Sequence, residues 1–317
     1  MTHPRTASRL MALAAALLAA ACSTPDPQRP AAKPALAARS AAATVPAFRP
    51  WSEDFAARWM RLSPERSTFT QYFSGPEQDA LDGRLRPLTR DSREAERTLA
   101  AEGLAMLRRQ LATPLAEDDR RAALTMQWSL QRSLDAAPYE HLSFPFNQLS
   151  GLQVRSVNLL TQGHPMRRPS DVDSWLARLA QLPQRFDEAI ARTRDAAAQG
   201  VLPPRFILER GRAQVQALLA PQAGGGVIVG SLASRTEAMP GLAATQRSEA
   251  LARAQAIVDQ QLRPALQRTL ALLDELHPRT TDDAGLWRLP GGDAAYAQAL
   301  AANTTTTMSA DEIHELG

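Results

Sequence analysis

The chain has 317 residues and 44% hydrophobic side chains, enough to bury one large core or two smaller ones and too apolar for disorder throughout. Its pI of about 9.6 would suit a nucleic-acid binder, but six basic residues and one acid fall before residue 50, leaving 30 basic against 32 acidic residues beyond it. The body is therefore slightly acidic and gives no reason to expect a nucleic-acid partner.

The first 21 residues read as an export signal. Arg5 and Arg9 precede an apolar run from Leu10 to Ala21, whose 12 residues fall short of the ~20 that cross a bilayer. Three alanines then lead to Cys22, the only cysteine. This arrangement resembles the bacterial lipoprotein cleavage box, with Ala19 where a larger aliphatic residue is usual and Leu18 one place early. The resemblance implies that residues 1–21 are a lipoprotein signal peptide and that Cys22 is the acylated, palmitate-bearing N-terminus. The bilayer is then a partner, and Ser23 points to the periplasmic face of the outer membrane. Acyl chains contribute about 0.8 kcal/mol per buried methylene, so two or three would hold the protein firmly. Ordinary secretion, with Cys22 a bystander, is the competing reading. Residues 22–50, dominated by Pro, Ala and Ser, form an expected tether without a core.

From residue 51 to 317 the pattern predicts a mainly α body, a multi-helix domain with short extended segments and no large sheet. Apolar residues at Leu99, Leu104, Leu107 and Leu111 recur at helical spacing, as do Leu124, Trp128, Leu130 and Leu134. A longer stripe runs through Val172, Trp175, Leu176, Leu179, Leu182, Phe186 and Ile190. Ser170 with Asp173 predicts its N-terminal cap and Gly200 its stop, while Pro183 predicts a kink or a split. A last stripe, from Leu251 to Leu273, is interrupted by Pro264. Segments that break the pattern include "FPFNQLSGLQ", "LLTQGHP", "AGGGVIVGS" and "NTTTTM"; the β-branched threonines of the last predict a short strand.

The closing "HELG" has the look of a zinc-protease motif without its second histidine. Such a motif needs two histidines one helical turn apart. His141, His164, His277 and His314 are nowhere so spaced, and Ser309 with Glu312 accounts for the stretch as a capping box. Ser150 lacks a nucleophile elbow, and the glycines from 224 to 226 are not followed by a phosphate-loop lysine. The sequence offers neither catalytic nor metal-binding residues.

Five stretches in order resemble one family of exported bacterial proteins, known as domain of unknown function 885 and often described as lipoproteins. They are "FPFNQLSGLQ", "LLTQGHP", "ARLAQLPQRFDEAI", "GVLPPRFILER" and the segment from Gly285 to Gly317. The resemblance implies a helical, metallopeptidase-like protein whose HEAxPGHH-type motif, and with it zinc, belongs to a C-terminal half beyond "DEIHELG". That motif does not occur in this sequence. Asn303 stands where the family's pattern leads one to expect a histidine. The chain then reads as the substrate-cradling N-terminal half, without cofactor and inactive alone. Asn147, Gln148, His164, Asn303, Thr304 and Thr305 are its candidate substrate contacts, and the threonine run is a strand able to pair with a peptide. A peptide substrate and a separate C-terminal half are the partners this implies. The alternative is a non-catalytic helical lipoprotein that binds a partner or small ligand.

Overall fold

The computed structural model describes residues 45–220 and 226–317. Cys22, the signal and nearly all of the tether lie outside them. Among the described residues the regular structure is helical, with no strand. The described residues divide into two compact units, one holding those up to Trp59 together with Thr98–Leu134, the other those of Met60–Arg97 and Asp135–Gly317.

The first unit draws on α1 (Phe48–Arg61), α4 (Arg90–Leu111) and α5 (Glu117–Ala136). Since α1 begins at Phe48, the last residues assigned to the tether belong to the folded body. Its aromatic residues follow one another along α1, with Trp51 tilted against Phe55 at 5.4 Å between centroids and Phe55 stacked on Trp59 at 6.0 Å. Opposite Phe55 stands Gly103, where a Cβ would come within 2.4 Å of the ring and 2.8 Å of Leu130, so glycine is what lets α4 approach. Leu99, Leu104 and Leu107 are buried as their spacing predicts. Leu124 and Trp128 are not core residues: they are 45% and 38% exposed. The inward face of α5 is built on Ala123, Met126 and Leu130, and Leu124 and Trp128 follow roughly 100° round the helix.

The second unit contains α2 (Pro64–Thr70), α3 (Gly75–Asp82), α6 (Leu152–Asn158), α7 (Pro169–Ala198), α8 (Arg205–Leu219), α9 (Gly226–Thr236), α10 (Ala244–Ile257), α11 (Arg263–Leu276), α12 (Gly292–Thr304) and α13 (Ala310–Leu316). Its core is centred on α7, where the whole predicted stripe from Val172 to Ile190 is buried. The helix runs through Pro183 without a break. Its start differs from the expectation. Pro169 takes the first turn, and the Asp171 carboxylate accepts from the Arg167 amide at 2.7 Å, so the capping carboxylate lies two residues before Asp173. At the other end Gly200, at φ +79°, closes the helix. The Val201 amide reaches back to the Ala196 carbonyl at 2.9 Å and that of Gly200 to Ala197 at 3.2 Å, the paired bonds of a left-handed glycine cap.

Pro264 falls just after a wide π turn, Val258–Leu262, that joins α10 to α11. A second π turn, Leu159–Gly163, follows α6. The Leu160 carbonyl is taken by the indole N–H of Trp175 at 2.8 Å and by Arg235 at 2.9 Å. The threonine run is not a strand. Asn303 and Thr304 continue α12, their side chains bonding back to the carbonyls of Ala299 at 2.7 Å and Leu300 at 2.8 Å, and Thr305 ends it at φ +57°. The backbone bonds of the helix, such as that from the Thr305 amide to the Ala301 carbonyl at 3.1 Å, satisfy groups that a lone strand would leave unpaired, which outweighs β propensity. The glycine-rich stretch likewise gives way to helix from Gly226 onward. The capping box at Ser309 forms as predicted, the Ser309 amide meeting Glu312 at 2.7 Å and the Glu312 amide meeting the serine hydroxyl at 3.2 Å.

Arg178, on the buried face of α7, ties this unit together. It is fully buried, and its guanidinium donates to the carbonyls of Arg84 at 3.0 Å and Leu81 at 3.1 Å, to the Thr68 hydroxyl, and to the His164 Nδ1 at 3.1 Å. The Thr68 hydroxyl donates in turn to Asp82 at 2.7 Å, which also accepts from Gln78 at 2.8 Å. Burial lowers the Arg178 pKa to about 10, against the raising effect of Glu65 and Asp82.

Candidate functional site

A cavity of about 660 Å³ opens within the second unit, in the size range of sites for small ligands and short peptides. Its floor is α7, which places Leu182, Arg185 and Arg192 on one side of the helix. One wall is α6, contributing Leu152, Arg155 and Ser156. The opposite wall is the irregular segment 84–88 with Leu85, Pro87 and Leu88.

This segment belongs to no helix, and three of its amides are satisfied one by one. Leu85 donates to Gln181 at 3.0 Å, Arg86 to Glu65 at 3.0 Å and Leu88 to Glu188 at 2.7 Å; Pro87 has no N–H to place. Side chains of α7 and α2 therefore hold the wall at a fixed distance from the floor. At the rim Phe69, 62% exposed, lies over Gly163, where a Cβ would approach its ring to 2.2 Å.

Six arginines and three glutamates line the cavity. Glu140 bridges Arg93 at 3.1 Å and Arg97 at 3.2 Å, and Glu96 pairs with Arg86. Arg192 donates to the Glu140 carbonyl at 2.7 Å. Its pKa is lowered, first by burial and then by the positive charges of Arg93, Arg155 and Arg86, against the opposing pull of Glu140. Arg185 bonds Glu188 at 2.9 Å through one terminal nitrogen, while its Nε and Nη1 are buried with no acceptor. Arg155 is exposed on the wall. An excess of fixed positive charge beside leucine and phenylalanine surface suits an anion carried on an apolar body.

None of the six candidate substrate contacts lines this cavity. Asn147 braces its own loop: its side-chain oxygen accepts from the amides of Leu149 at 2.9 Å and Ser150 at 2.7 Å, and its nitrogen donates to Phe144 at 3.0 Å. The Gln148 carbonyl accepts from Gln214 at 3.0 Å, which fastens the same loop to α8. His164 is 1% exposed, with Nε2 2.9 Å from the Asp171 carbonyl and Nδ1 facing Arg178. Nε2 therefore carries the proton. Burial lowers the ring's pKa from 6.5 to about 4, with the Arg178 charge adding to the effect, so His164 stays neutral. Asn303, Thr304 and Thr305 sit together at the end of α12. Among the described residues no three metal-ligating side chains converge, and the His277 ring lies 2.9 Å from Glu209. No helix among them is long and apolar enough to cross a membrane. A sequence signal for the cavity does exist: Arg185 and Arg192 stand seven residues apart along α7 beside its apolar stripe, in step with Arg178, which lies outside the cavity.

Fold and cavity together define an all-helical protein with an arginine-lined cleft. Residues 64–317 match the family described as bacterial protein of unknown function DUF885, and the chain belongs to that family. The fold is similar to a crystal structure described as a "putative lipoprotein" from Colwellia psychrerythraea, with a TM-score of 0.68 and 18% identity over 83% of this chain. The match takes in 48% of that protein, so this chain spans about half its length. No curated protein matches the sequence.

Proposed function

We propose that this is a lipid-anchored envelope protein whose helical body cradles a substrate such as a short peptide, as the N-terminal part of a metallopeptidase-like protein that does not act alone. The arginine-lined cleft carries the reading. It joins a firmly held apolar wall to guanidinium groups that exceed the carboxylates beside them. The similarity to a protein about twice as long supports the view that the cradle works with further sequence.

Asn158 lines the cleft and is exposed, so Asn158→Trp should fill the cavity without disturbing the core. Titration calorimetry of the full chain with short apolar peptides should show saturable binding that this variant abolishes. Binding unchanged by the tryptophan would place the cradle elsewhere. Anchoring is tested separately by feeding cells a labelled fatty acid: label should be lost in Cys22→Ser, and label retained would refute acylation at that residue.

A further inference from the structure

We infer that the cleft selects its ligand by a carboxylate, held by Arg155 with Arg185 and Arg192, while the ligand's apolar remainder lies on Leu88, Leu152 and Phe69. This deepens the cradle reading and rests on it for the location of the site.

The strongest observation is Arg185. Its side chain is 7% exposed, borders the cavity, and leaves two buried donors unmatched. A buried donor without an acceptor carries its desolvation cost uncompensated. An anion entering from the cavity supplies what this guanidinium lacks. Arg192 lies on the same face of α7 and is already crowded by Arg93, Arg155 and Arg86, a mutual repulsion that an added negative charge relieves. Arg155 has no carboxylate partner among the described residues, which makes it the group free to close on the ligand.

The balance of charge favours a single carboxylate over phosphate. Counting Glu188, six guanidiniums face four carboxylates, so the surplus is small and is spread along the wall and floor. The apolar lining points the same way, since Leu85, Leu88, Leu152, Leu159 and Leu182 offer nothing to a bare inorganic ion. A carboxylate attached to a hydrocarbon or an apolar peptide uses both surfaces. For a peptide it comes either from the C-terminus or from an acidic side chain.

The probe is 4-phenylbutyrate, titrated calorimetrically into the full chain beside 4-phenylbutanamide, which has the same shape without the charge. The carboxylate should bind about tenfold tighter, as expected for one to two charge-assisted hydrogen bonds. Arg155→Gln, at an exposed position, should remove most of that preference while leaving thermal unfolding unchanged, and Arg185→Gln should reduce it too. Equal affinity for acid and amide overturns the inference. So does displacement of phenylbutyrate by inorganic phosphate at lower concentration than by acetate.

Three tripeptides then separate the sources and the two readings: Ala-Leu-Leu with a free C-terminus, its amide, and amidated Ala-Glu-Leu, all acetylated. Preference for the first assigns the C-terminal carboxylate, and preference for the third assigns a side chain; either supports the inference. Peptide binding that is blocked by Asn158→Trp but indifferent to all three forms keeps the cradle and removes the carboxylate. Phenylbutyrate binding with no peptide binding keeps the carboxylate site and removes the peptide cradle.

Discussion

Arg178 and Arg185 lie seven residues apart on the same helix, both buried, and the protein treats them differently. Arg178 meets acceptors from three separate stretches of chain, including the Arg84 carbonyl at 3.0 Å and the His164 ring at 3.1 Å. Arg185 has one partner, Glu188, and two donors with none. Burial alone therefore does not say what a charged residue is for. A buried guanidinium whose bonds are complete holds a fold together, and one left incomplete beside a cavity is a reserve for something that enters.

Replacing Arg178 should show the largest effect. Arg178→Met keeps the length of the side chain but strands the carbonyls of Leu81 and Arg84 in the core. The loss should be roughly 3–5 kcal/mol, the scale for removing one member of a buried charged network, seen as a lower urea midpoint. A loss under 1 kcal/mol would show that water replaces the guanidinium and that the knot is dispensable.

His164 tests the same knot through pH. In the unfolded chain the ring titrates near 6.5 and in the fold near 4, so the unfolded state takes up the proton first. The resulting stabilisation is fully present above about pH 6.5 and is lost as pH falls toward 4, amounting to roughly 3 kcal/mol. His164→Gln should flatten that part of the stability curve when urea midpoints at pH 7 and pH 4 are compared. An equal slope in both proteins would assign the acid sensitivity to carboxylates instead.

The cleft arginines should matter least to stability. Arg185→Met gives up one ion pair but also removes two unmatched donors, so the net cost should be about 1 kcal/mol. Arg155→Gln, exposed on the wall, should fall within about 0.5 kcal/mol. If Arg185→Met cost as much as Arg178→Met, the contrast between the two sites would collapse.

Much of the helical body can be read from the sequence because its signals are local. The stripe of α7 needs only 3.6-residue spacing, and the Ser309 capping box and the Gly200 stop need only neighbours within one turn. The threonine run misled because β propensity is a weak preference, and the backbone bonds of α12, which reach the Thr305 amide, decide the matter within the helix itself. Leu124 and Trp128 misled because helical spacing does not say which of two adjacent faces turns inward. The cleft was least legible. Three arginines at seven-residue intervals are plain in the sequence, but nothing local tells Arg178 from Arg185. That depends on the carbonyl of Arg84, 94 residues away from Arg178 in the chain.

The cleft's positive charge comes entirely from guanidinium groups, and Lys33 is the only lysine in the sequence. Guanidiniums stay protonated well above neutral pH and do not react with amine-directed esters. Such a reagent would therefore mark the chain at Lys33 or at a free α-amino group and leave the cleft untouched. That gives a ready means of fixing the protein to a sensor surface by its N-terminal segment, with the ligand site chemically unaltered.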